Sequence, residues 1–297
     1  MHLRNIRSVI TALLLLSTLM LCLSVPVCHA SDVIIIGDTR LKPVVEIISG
    51  IRKTLRASTR TYAPFEVRGT LRSVAEKEEA KVVVALGKEA LGEALQLPPT
   101  ITVIYDLVVI PPKISRPNTT GFYMAIPARE YLDLISSHLN SIKHIAVVGS
   151  RDQLSFLAGD TNQHLTPYSV RNAFEFVNTV RQVNSADAIL LMPDASLLTD
   201  TAMEEAYLLS FRRGIPLIGI SERQVKEGAL LALVVDTASV GRLIGEYATK
   251  AIKGVNVGQL PPSPPRKFEL YLNTDTARKM GIHIPDEMVR MAKKAYP

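Results

Sequence analysis

Short runs of consecutive apolar residues recur along the chain, and most are followed by a turn and an amphipathic stretch. The first run, Asp32–Ile36, ends at Gly37, and apolar positions then recur every three to four residues from Val44 to Leu55. Unbroken apolar runs are typical of strands buried on both faces, and the 3.6-residue period is typical of helices. Further strands are predicted at Lys81–Leu86, Ile101–Tyr105, His144–Val148, Ala188–Met192, Pro216–Ile220 and Leu230–Val235. This alternation predicts an α/β protein with parallel sheets covered by helices.

The alternation falls into two blocks, which predicts two similar α/β lobes. The strand–helix–strand order runs from about residue 32 to 105 and restarts at about residue 143. Between the blocks, Pro111 to Pro127 holds four prolines and is interpreted as a crossing between lobes. Pro261–Pro265 is a second stiff connector. The elements predicted after it are a strand and two helices: Lys267–Leu272, Asp275–Met280 and Pro285–Ala295.

The first 30 residues differ in composition from the rest of the chain. Two arginines precede a mostly apolar run from Val9 to Val27, and small residues stand at the −3 and −1 positions of a cleavage after Ala30. This pattern is typical of a secretory signal peptide, which predicts a periplasmic protein without stable membrane insertion. The alternative is a membrane anchor, since the run is long enough to span a bilayer. Cleavage would remove both cysteines and lower the net charge from +6 to +4.

Candidate ligand-binding residues follow the predicted strands, because ligands of such sheets bind beyond the carboxyl ends of the strands. Helix N-termini at this edge present free N–H groups and favour an anion. Lys88 would add a positive charge, and the aspartates would bind an ammonium group or hydroxyls. For Asp38, Asp194, Ser221 and Asp236 the alternative is that they only cap helices. The full candidate set is Asp38, Thr39, Gly87, Lys88, Tyr105, Asp106, Asp194, Ser221 and Asp236.

Motifs for catalysis and cofactor binding are absent from the sequence. Gly87-Lys88 lacks the earlier glycine and the following hydroxyl residue of a phosphate-binding loop, and no dinucleotide or nucleophile-elbow motif occurs. The histidines after residue 30 are scattered and do not pair at metal-ligand spacing. No run of lysines and arginines is present of the kind that follows nucleic-acid phosphates. We therefore expect a protein that is not an enzyme and has no cofactor, metal or nucleic-acid partner.

The densest set of motifs lies from Gly214 to the C-terminus. It reads G-I-P-L-I-G-I-S-E-R, then G-A-L-L-A-L-V-V-D, and ends in F-E-L-Y-L-N-T-D-T-A-R-K-M-G-I-H-I-P. Earlier motifs are V-A-L-G at Val84–Gly87, N-T-T-G at Asn118–Gly121 and L-M-P-D at Leu191–Asp194. Together they resemble the ABC-transporter substrate-binding family that includes tryptophan- and phenylalanine-binding periplasmic components.

The resemblance implies the type I periplasmic-binding fold, in which two Rossmann-like lobes are joined by three crossovers and a ligand is held between them. The third crossover would fall at Val235–Thr237, after which the helix Ala238–Lys253 would return to the first lobe. The implied first lobe is residues 31–124 plus 237–262. The second lobe is residues 125–236 plus 263–297.

Two departures from the family pattern affect the expected ligand. Lys88 stands where the family usually has threonine, and Ile110-Pro111 stands where it usually has Asp-Pro. The amino-acid specificity of the named relatives is therefore not carried over to this chain. A lysine in place of threonine favours a more anionic ligand.

Two functions from different classes follow. The first is a periplasmic solute-binding component that captures a small polar ligand, amino-acid-like or a small anion, and delivers it to an ABC permease and its ATPase. The alternative is a periplasmic ligand-sensing or partner-binding protein that serves a receptor or an outer-membrane system, which the departures from the family pattern motivate.

Overall fold

The computed structural model describes residues 31–157 and 164–297, so the predicted signal peptide lies outside the described residues. The strands are β1 (Val33–Ile36), β2 (Thr59–Tyr62), β3 (Val82–Leu86), β4 (Thr102–Asp106), β5 (Thr119–Gly121), β6 (Ile145–Gly149), β7 (Leu165–Ser169), β8 (Ala188–Leu191), β9 (Leu217–Gly219), β10 (Leu231–Val235), β11 (Phe268–Asn273) and β12 (Lys294–Tyr296). The helices are α1 (Lys42–Thr54), α2 (Leu71–Lys77), α3 (Lys88–Ala94), α4 (Ala128–His138), α5 (Arg151–Leu157), α6 (Ala173–Gln182), α7 (Asp200–Arg213), α8 (Glu222–Glu227), α9 (Thr237–Ile252), α10 (Thr274–Lys279) and α11 (Asp286–Met291).

The strands of the described residues form two sheets, which confirms the predicted α/β class. The first sheet has the order β2-β1-β3-β4-β5 and is parallel throughout. The second sheet has the order β12-β11-β10-β9-β8-β6-β7. It is parallel except where β11 runs antiparallel to β10, with Val234 opposite Glu269 and Val235 opposite Phe268. This reversal places the beginning of β11 beside the end of β10.

Each sheet is buried on both faces, as the unbroken apolar runs predicted. In β1, Val33 and Ile35 belong to one core cluster and Ile34 and Ile36 to another. In β6, Ile145 and Val147 face one core and Ala146 and Val148 face the other. Since successive side chains of a strand point to opposite faces, an unbroken apolar run supplies both cores at once.

The chain passes between the two sheets three times. It leaves the first sheet after β5, leaves the second sheet at Asp236, and returns to it before β11. Between the last two passages, α9 packs against α1, and its residues Val240 and Ile244 join the core on one face of the first sheet. The second and third passages are tied together by a hydrogen bond of 3.0 Å from the Asp236 amide to the Lys267 carbonyl.

Several elements differ from the sequence predictions. Strands β2, β5 and β7 were not predicted, because their residues are polar, glycine-containing or only partly buried at sheet edges. The helix predicted over Pro285–Ala295 is wrong in its last part. It ends at Met291, and Lys294–Tyr296 forms the edge strand β12 beside β11. As a strand, these residues pair in parallel with Tyr271–Asn273 of β11 and extend the second sheet by one strand.

Candidate ligand-binding cleft

A cavity of about 480 Å³ opens between the two sheets. We call it the cleft, and it is lined by residues from both sides of the molecule. They lie at the beginning of α1, in the segment that precedes α4, within α4 and α5, and at the ends of β8 and β10. Others lie at the beginnings of α8 and α9 and along the edge formed by β11 and β12. The lining residues are Lys42, Pro43, Glu46, Met124, Ile126, Ala128, Tyr131, Leu157, Leu190, Leu191, Met192, Pro193, Ile220, Ser221, Glu222, Arg223, Leu233, Val234, Val235, Asp236, Thr237, Ala238, Glu269, Tyr271 and Lys293.

The inner part of the cleft is apolar. We call its residues the apolar floor: Tyr131, Leu157, Leu190, Met192 and Leu233. All five are buried and belong to one core cluster of the second sheet. The cleft therefore extends from solvent into the hydrophobic core on one side of this sheet, where α4 and α5 cover β8 and β10.

The outer part of the cleft carries charges of both signs. We call these residues the charged rim: Lys42, Glu46, Glu222, Arg223, Glu269 and Lys293. On the α1 side, Lys42 Nζ lies 3.6 Å from a carboxylate oxygen of Glu46, and the Thr237 hydroxyl donates a hydrogen bond to Glu46. On the other side, Lys293 Nζ lies 2.6 Å from both carboxylate oxygens of Glu269. The rim can therefore face both a carboxylate and an ammonium group of a ligand.

Glu222 is held ionised at the edge of the cleft. The hydroxyl of Tyr296 donates a hydrogen bond of 2.5 Å to it and lowers the pKa of Glu222. The positive charges of Lys294, Lys42 and Lys293 lower this pKa further. Because Lys42 belongs to α1 and Glu222 to α8, this electrostatic interaction reaches across the cleft.

Two of the nine predicted ligand-binding residues, Ser221 and Asp236, line the cleft. Both also cap helices: the Ser221 hydroxyl accepts from the Gln224 amide, and the Asp236 carboxylate accepts from the Ser239 amide. Burial would raise the pKa of Asp236, but the hydrogen bonds from the side chain and backbone of Ser239 lower it. In this structure, both side chains therefore make the helix-capping contacts that the sequence offered as the alternative to ligand binding.

Three further predicted residues do not line the cleft: Asp38 and Thr39 lie in the turn before α1, and Asp194 lies in the loop directly after the lining residue Pro193. The Asp38 carboxylate is paired with Arg40 at 2.8–2.9 Å, and these hydrogen bonds lower the pKa of Asp38 to about 2. The Asp194 carboxylate accepts from the amide and the hydroxyl of Ser196, at 2.9 and 2.6 Å. Thr39 borders a separate surface depression on the other side of α1.

The remaining four predicted residues lie at the ends of β3 and β4. Gly87 has a positive φ of 99°, and its amide donates to the Asp106 carbonyl at 2.8 Å. Lys88 follows it as the exposed first residue of α3. Tyr105 and Asp106 are both 1% exposed, and their side-chain oxygens have no hydrogen-bond partner within the described part of the chain. Burial raises the pKa of Tyr105 to about 12 and that of Asp106 to about 7.

Sequence reasoning missed the charged rim and the apolar floor, for two different reasons. Glu269 and Lys293 belong to the antiparallel β11 and the segment before β12, so a search of the carboxyl ends of parallel strands does not find them. Tyr131 and Leu157 occupy apolar positions of helices that look like any other core position. Lys42 could have been found, since Lys42-Pro43 begins the first helix after β1 at the predicted binding edge.

No group of three or more His, Cys, Asp or Glu side chains that could hold a metal ion occurs in residues 31–157 and 164–297. Among the helices of the same two ranges, none has the length and apolar character needed to cross a membrane.

Comparison with known proteins finds similar proteins both by sequence and by structure. A tyrosine-binding protein of Clostridioides difficile (strain R20291) is 22% identical over 235 residues, which span 72% of this chain and 67% of that protein. The solved structure of an ABC domain from Streptococcus pneumonia in complex with L-Trp has a TM-score of 0.62 and 17% identity, and covers 89% of this chain and 99% of its own. The ligand-free, open structure of CD0873, a substrate binding protein with adhesive properties from Clostridium difficile, has a TM-score of 0.71 and 15% identity, with coverage of 90% and 99%.

The structural likenesses confirm the predicted fold, two α/β halves with three crossovers, as the type I periplasmic-binding fold. The sequence itself establishes the family. Residues 96–296, more than half of the chain, match the model of the family described as ABC transporter substrate binding protein. The chain therefore belongs to the ABC transporter substrate-binding protein family.

Proposed function

We propose that this protein is the periplasmic solute-binding component of an ABC transport system and that its ligand is an amino acid with a large apolar side chain. The observation that carries the proposal is the cleft, which is lined from both halves of the molecule and combines an apolar floor with a rim of both charges. Its volume of about 480 Å³ lies in the range of small-molecule sites.

The ligand class follows from the distribution of polar groups in the cleft. A zwitterionic amino acid carries its charges at one end and its side chain at the other. Its carboxylate would face Lys42 or Lys293 and its ammonium group Glu46, Glu222 or Glu269, while its side chain would enter the apolar floor. The names of the relatives agree with this class, since one is a tyrosine-binding protein and another was solved with L-Trp.

The mechanism of capture would be closure of the two halves on the ligand. A ligand that contacts both sides of the cleft binds a closed arrangement better than an open one, so it shifts the population towards closure. The closed, liganded form would then dock on a permease, and the segment of residues 1–30 would serve for export to the periplasm.

The test is calorimetric titration of the purified, ligand-stripped protein with the twenty amino acids and with small inorganic anions. We expect micromolar binding of one or a few amino acids with large apolar side chains and no binding of the anions. Binding of anions alone would contradict the proposed ligand class. Failure to bind any compound of a broad solute library would contradict the solute-binding function itself.

A further inference from the structure

Ser31, the residue that follows the predicted cleavage site, is buried against the end of α2. It is 6% exposed, and its backbone nitrogen donates a hydrogen bond of 2.9 Å to the carbonyl oxygen of Glu78. The Ser31 side chain lies close enough to the Glu78 carboxyl to lower the pKa of that group. The point at which the signal peptide would be removed therefore lies beside a buried acidic residue.

Glu78 occupies an unfavourable position for an acid. It is 2% exposed and follows the last turn of α2, where the helix dipole disfavours a negative charge. One carboxylate oxygen, Oε1, accepts hydrogen bonds from Arg60 and from the Tyr62 hydroxyl. The other oxygen, Oε2, is buried and has no hydrogen-bond partner among residues 31–157 and 164–297. Because a buried carboxylate oxygen without a donor is costly, one further donor is expected there.

The Ser31 nitrogen can supply this donor only after cleavage. In the uncleaved chain it is an amide with a single hydrogen, which is donated to the Glu78 carbonyl. Hydrolysis of the Ala30–Ser31 peptide bond by a signal peptidase consumes one water, leaves a carboxylate on Ala30 and frees the Ser31 nitrogen as an ammonium group. An ammonium group has three hydrogens and a positive charge. It can keep the bond to the Glu78 carbonyl and donate a second hydrogen bond to Oε2.

The charges around the Ser31 nitrogen leave Glu78 as its partner. Asp32, the next residue along the chain, pairs with Lys81 at 3.3 Å. Arg60 reaches Glu78 from β2, but its side chain is 55% exposed, so solvent screens part of its charge. Burial would raise the pKa of Glu78, but hydrogen bonds, first that from Arg60, lower it, so this carboxyl is ionised at neutral pH. A buried negative charge with a free oxygen thus faces the nitrogen that cleavage would make positive.

We propose that Glu78 is the docking site of the new N-terminus, where the ammonium group released at Ser31 forms a buried ion pair with the Glu78 carboxylate. The inference rests on the export step of the proposed function and goes beyond it, because it makes removal of the signal peptide a step that completes the fold. An ordinary α-amino group has a pKa of about 7.7–8.0. Burial alone would lower the pKa of the Ser31 amino group, whereas the ion pair raises it.

The test begins with the full chain, expressed with residues 1–30 and recovered from the periplasm. Its intact mass should be that of a protein that begins at Ser31. The protein is then acetylated with N-hydroxysuccinimidyl acetate over a range of pH, and the modified fraction of the N-terminal peptide is measured by mass spectrometry. Only the uncharged amine reacts. We therefore expect acetylation at pH 7 to be about 10-fold slower in the native protein than in urea, with an apparent pKa of the amine above 8.

Two variants separate the ion pair from simple burial. Glu78→Gln removes the negative charge at nearly constant shape, and it should raise the acetylation rate at pH 7 about 10-fold because the uncharged fraction of the amine rises. Glu79→Gln is the matched control, since Glu79 is the exposed neighbour of Glu78, and it should react like the wild type. Thermal unfolding shows whether each variant is folded. If Glu78→Gln is not, the pH profile of the wild type decides the matter.

The outcomes separate this inference from the solute-binding function. An apparent pKa of the native amine at or below that in urea, or equal acetylation rates in Glu78→Gln and the wild type, would overturn the ion pair. A purified protein that begins at another residue, or that keeps residues 1–30, would overturn it as well. The amino-acid titration tests solute binding independently of all these results. A protein that binds amino acids but fails here loses only the docking of Ser31, and one that passes here but binds no solute loses the proposed function.

Discussion

At the scale of single residues, the most unusual group is the carboxyl of Asp106. It ends β4, is 1% exposed, and has both oxygens without a hydrogen-bond partner among the described residues. Burial disfavours its charged form and raises its pKa from 3.8 to about 7. The fold therefore binds a proton at Asp106 that the unfolded chain releases near pH 4.

This proton makes stability depend on pH in a defined direction. Since the pKa of Asp106 is higher in the folded state, its contribution to stability is complete below about pH 4 and is lost as the pH rises through about 7. We expect Asp106→Asn, which cannot ionise, to gain stability relative to the wild type by about 3 kcal/mol between pH 4.5 and pH 8.5.

The measurement is urea unfolding of the wild type and Asp106→Asn at both pH values. The difference in the free energy of unfolding between the two proteins is used, because it cancels the contributions of other carboxyl groups. The pKa of Asp38, for example, is lowered and not raised in the folded protein. If the difference in the free energy of unfolding between the wild type and Asp106→Asn is the same at both pH values, the pKa of Asp106 is not raised in the folded protein.

At the scale of elements, the packing of α1 against α9 depends on glycines. A Cβ atom added to Gly241 would lie 2.2 Å from the Ile47 carbonyl oxygen, and one added to Gly50 would lie 2.3 Å from the Ala238 carbonyl oxygen. Both contacts are with backbone, which cannot move aside as a flexible side chain can. The close approach fixes where α9 begins, and hence where Asp236 and Thr237 enter the cleft.

Gly241→Ala should therefore destabilise the protein although alanine favours helices. We expect a loss of about 2 kcal/mol in the free energy of unfolding, in the range found for overpacked cores. Gly92→Ala is the matched control, because Gly92 lies in helix α3 with open space where its Cβ would be. It should stabilise the protein by about 0.5–1 kcal/mol. Chemical denaturation of both variants measures the two changes in the free energy of unfolding. Equal changes would show that α1 and α9 move apart enough to accommodate the added methyl group.

At the scale of the whole molecule, the charged rim joins the two halves. Lys42 lies on α1, which covers the first sheet, and Glu222 begins α8, which belongs with the second. The charge of Lys42 already lowers the pKa of Glu222. Closure of the cleft, as proposed above, would shorten the distance between them and strengthen this attraction.

Reversing the charge of Lys42 should then weaken ligand binding. We expect Lys42→Glu to raise the Kd of the bound amino acid by about 2- to 5-fold at low salt, the range for an exposed ion pair, and by less at high salt. Glu222→Lys on the same chain should recover part of the loss. Lys53→Glu, on α1 but away from the cleft, is the control. If the variant with both Lys42→Glu and Glu222→Lys binds the amino acid no more tightly than Lys42→Glu alone, these two residues do not interact in the bound state.

How much could be predicted from the sequence differs between fold and site. Buried strands such as Val82–Leu86 were predictable because an unbroken apolar run is stable only when both faces are covered. Edge strands such as Leu165–Ser169 were not, because their side chains are mostly polar or partly exposed and only their backbone pairing defines them. Of the candidate site, Ser221 and Asp236 were found from their place after a strand, and both line the cleft.

The α/β class, the two halves and the family are predictable from the amino-acid sequence, because each depends on local periodicity or on motifs within one segment. Which side chains meet in the cleft depends on how distant segments pack. Glu269 and Lys293 reach it because β11 reverses direction beside β10 and β12 pairs with β11. Tyr131 borders a cavity rather than a closed core because of how α4 and α5 pack on the second sheet. Strand direction and cavity position depend on contacts between segments far apart in the chain, and no local pattern of apolar and polar residues encodes them.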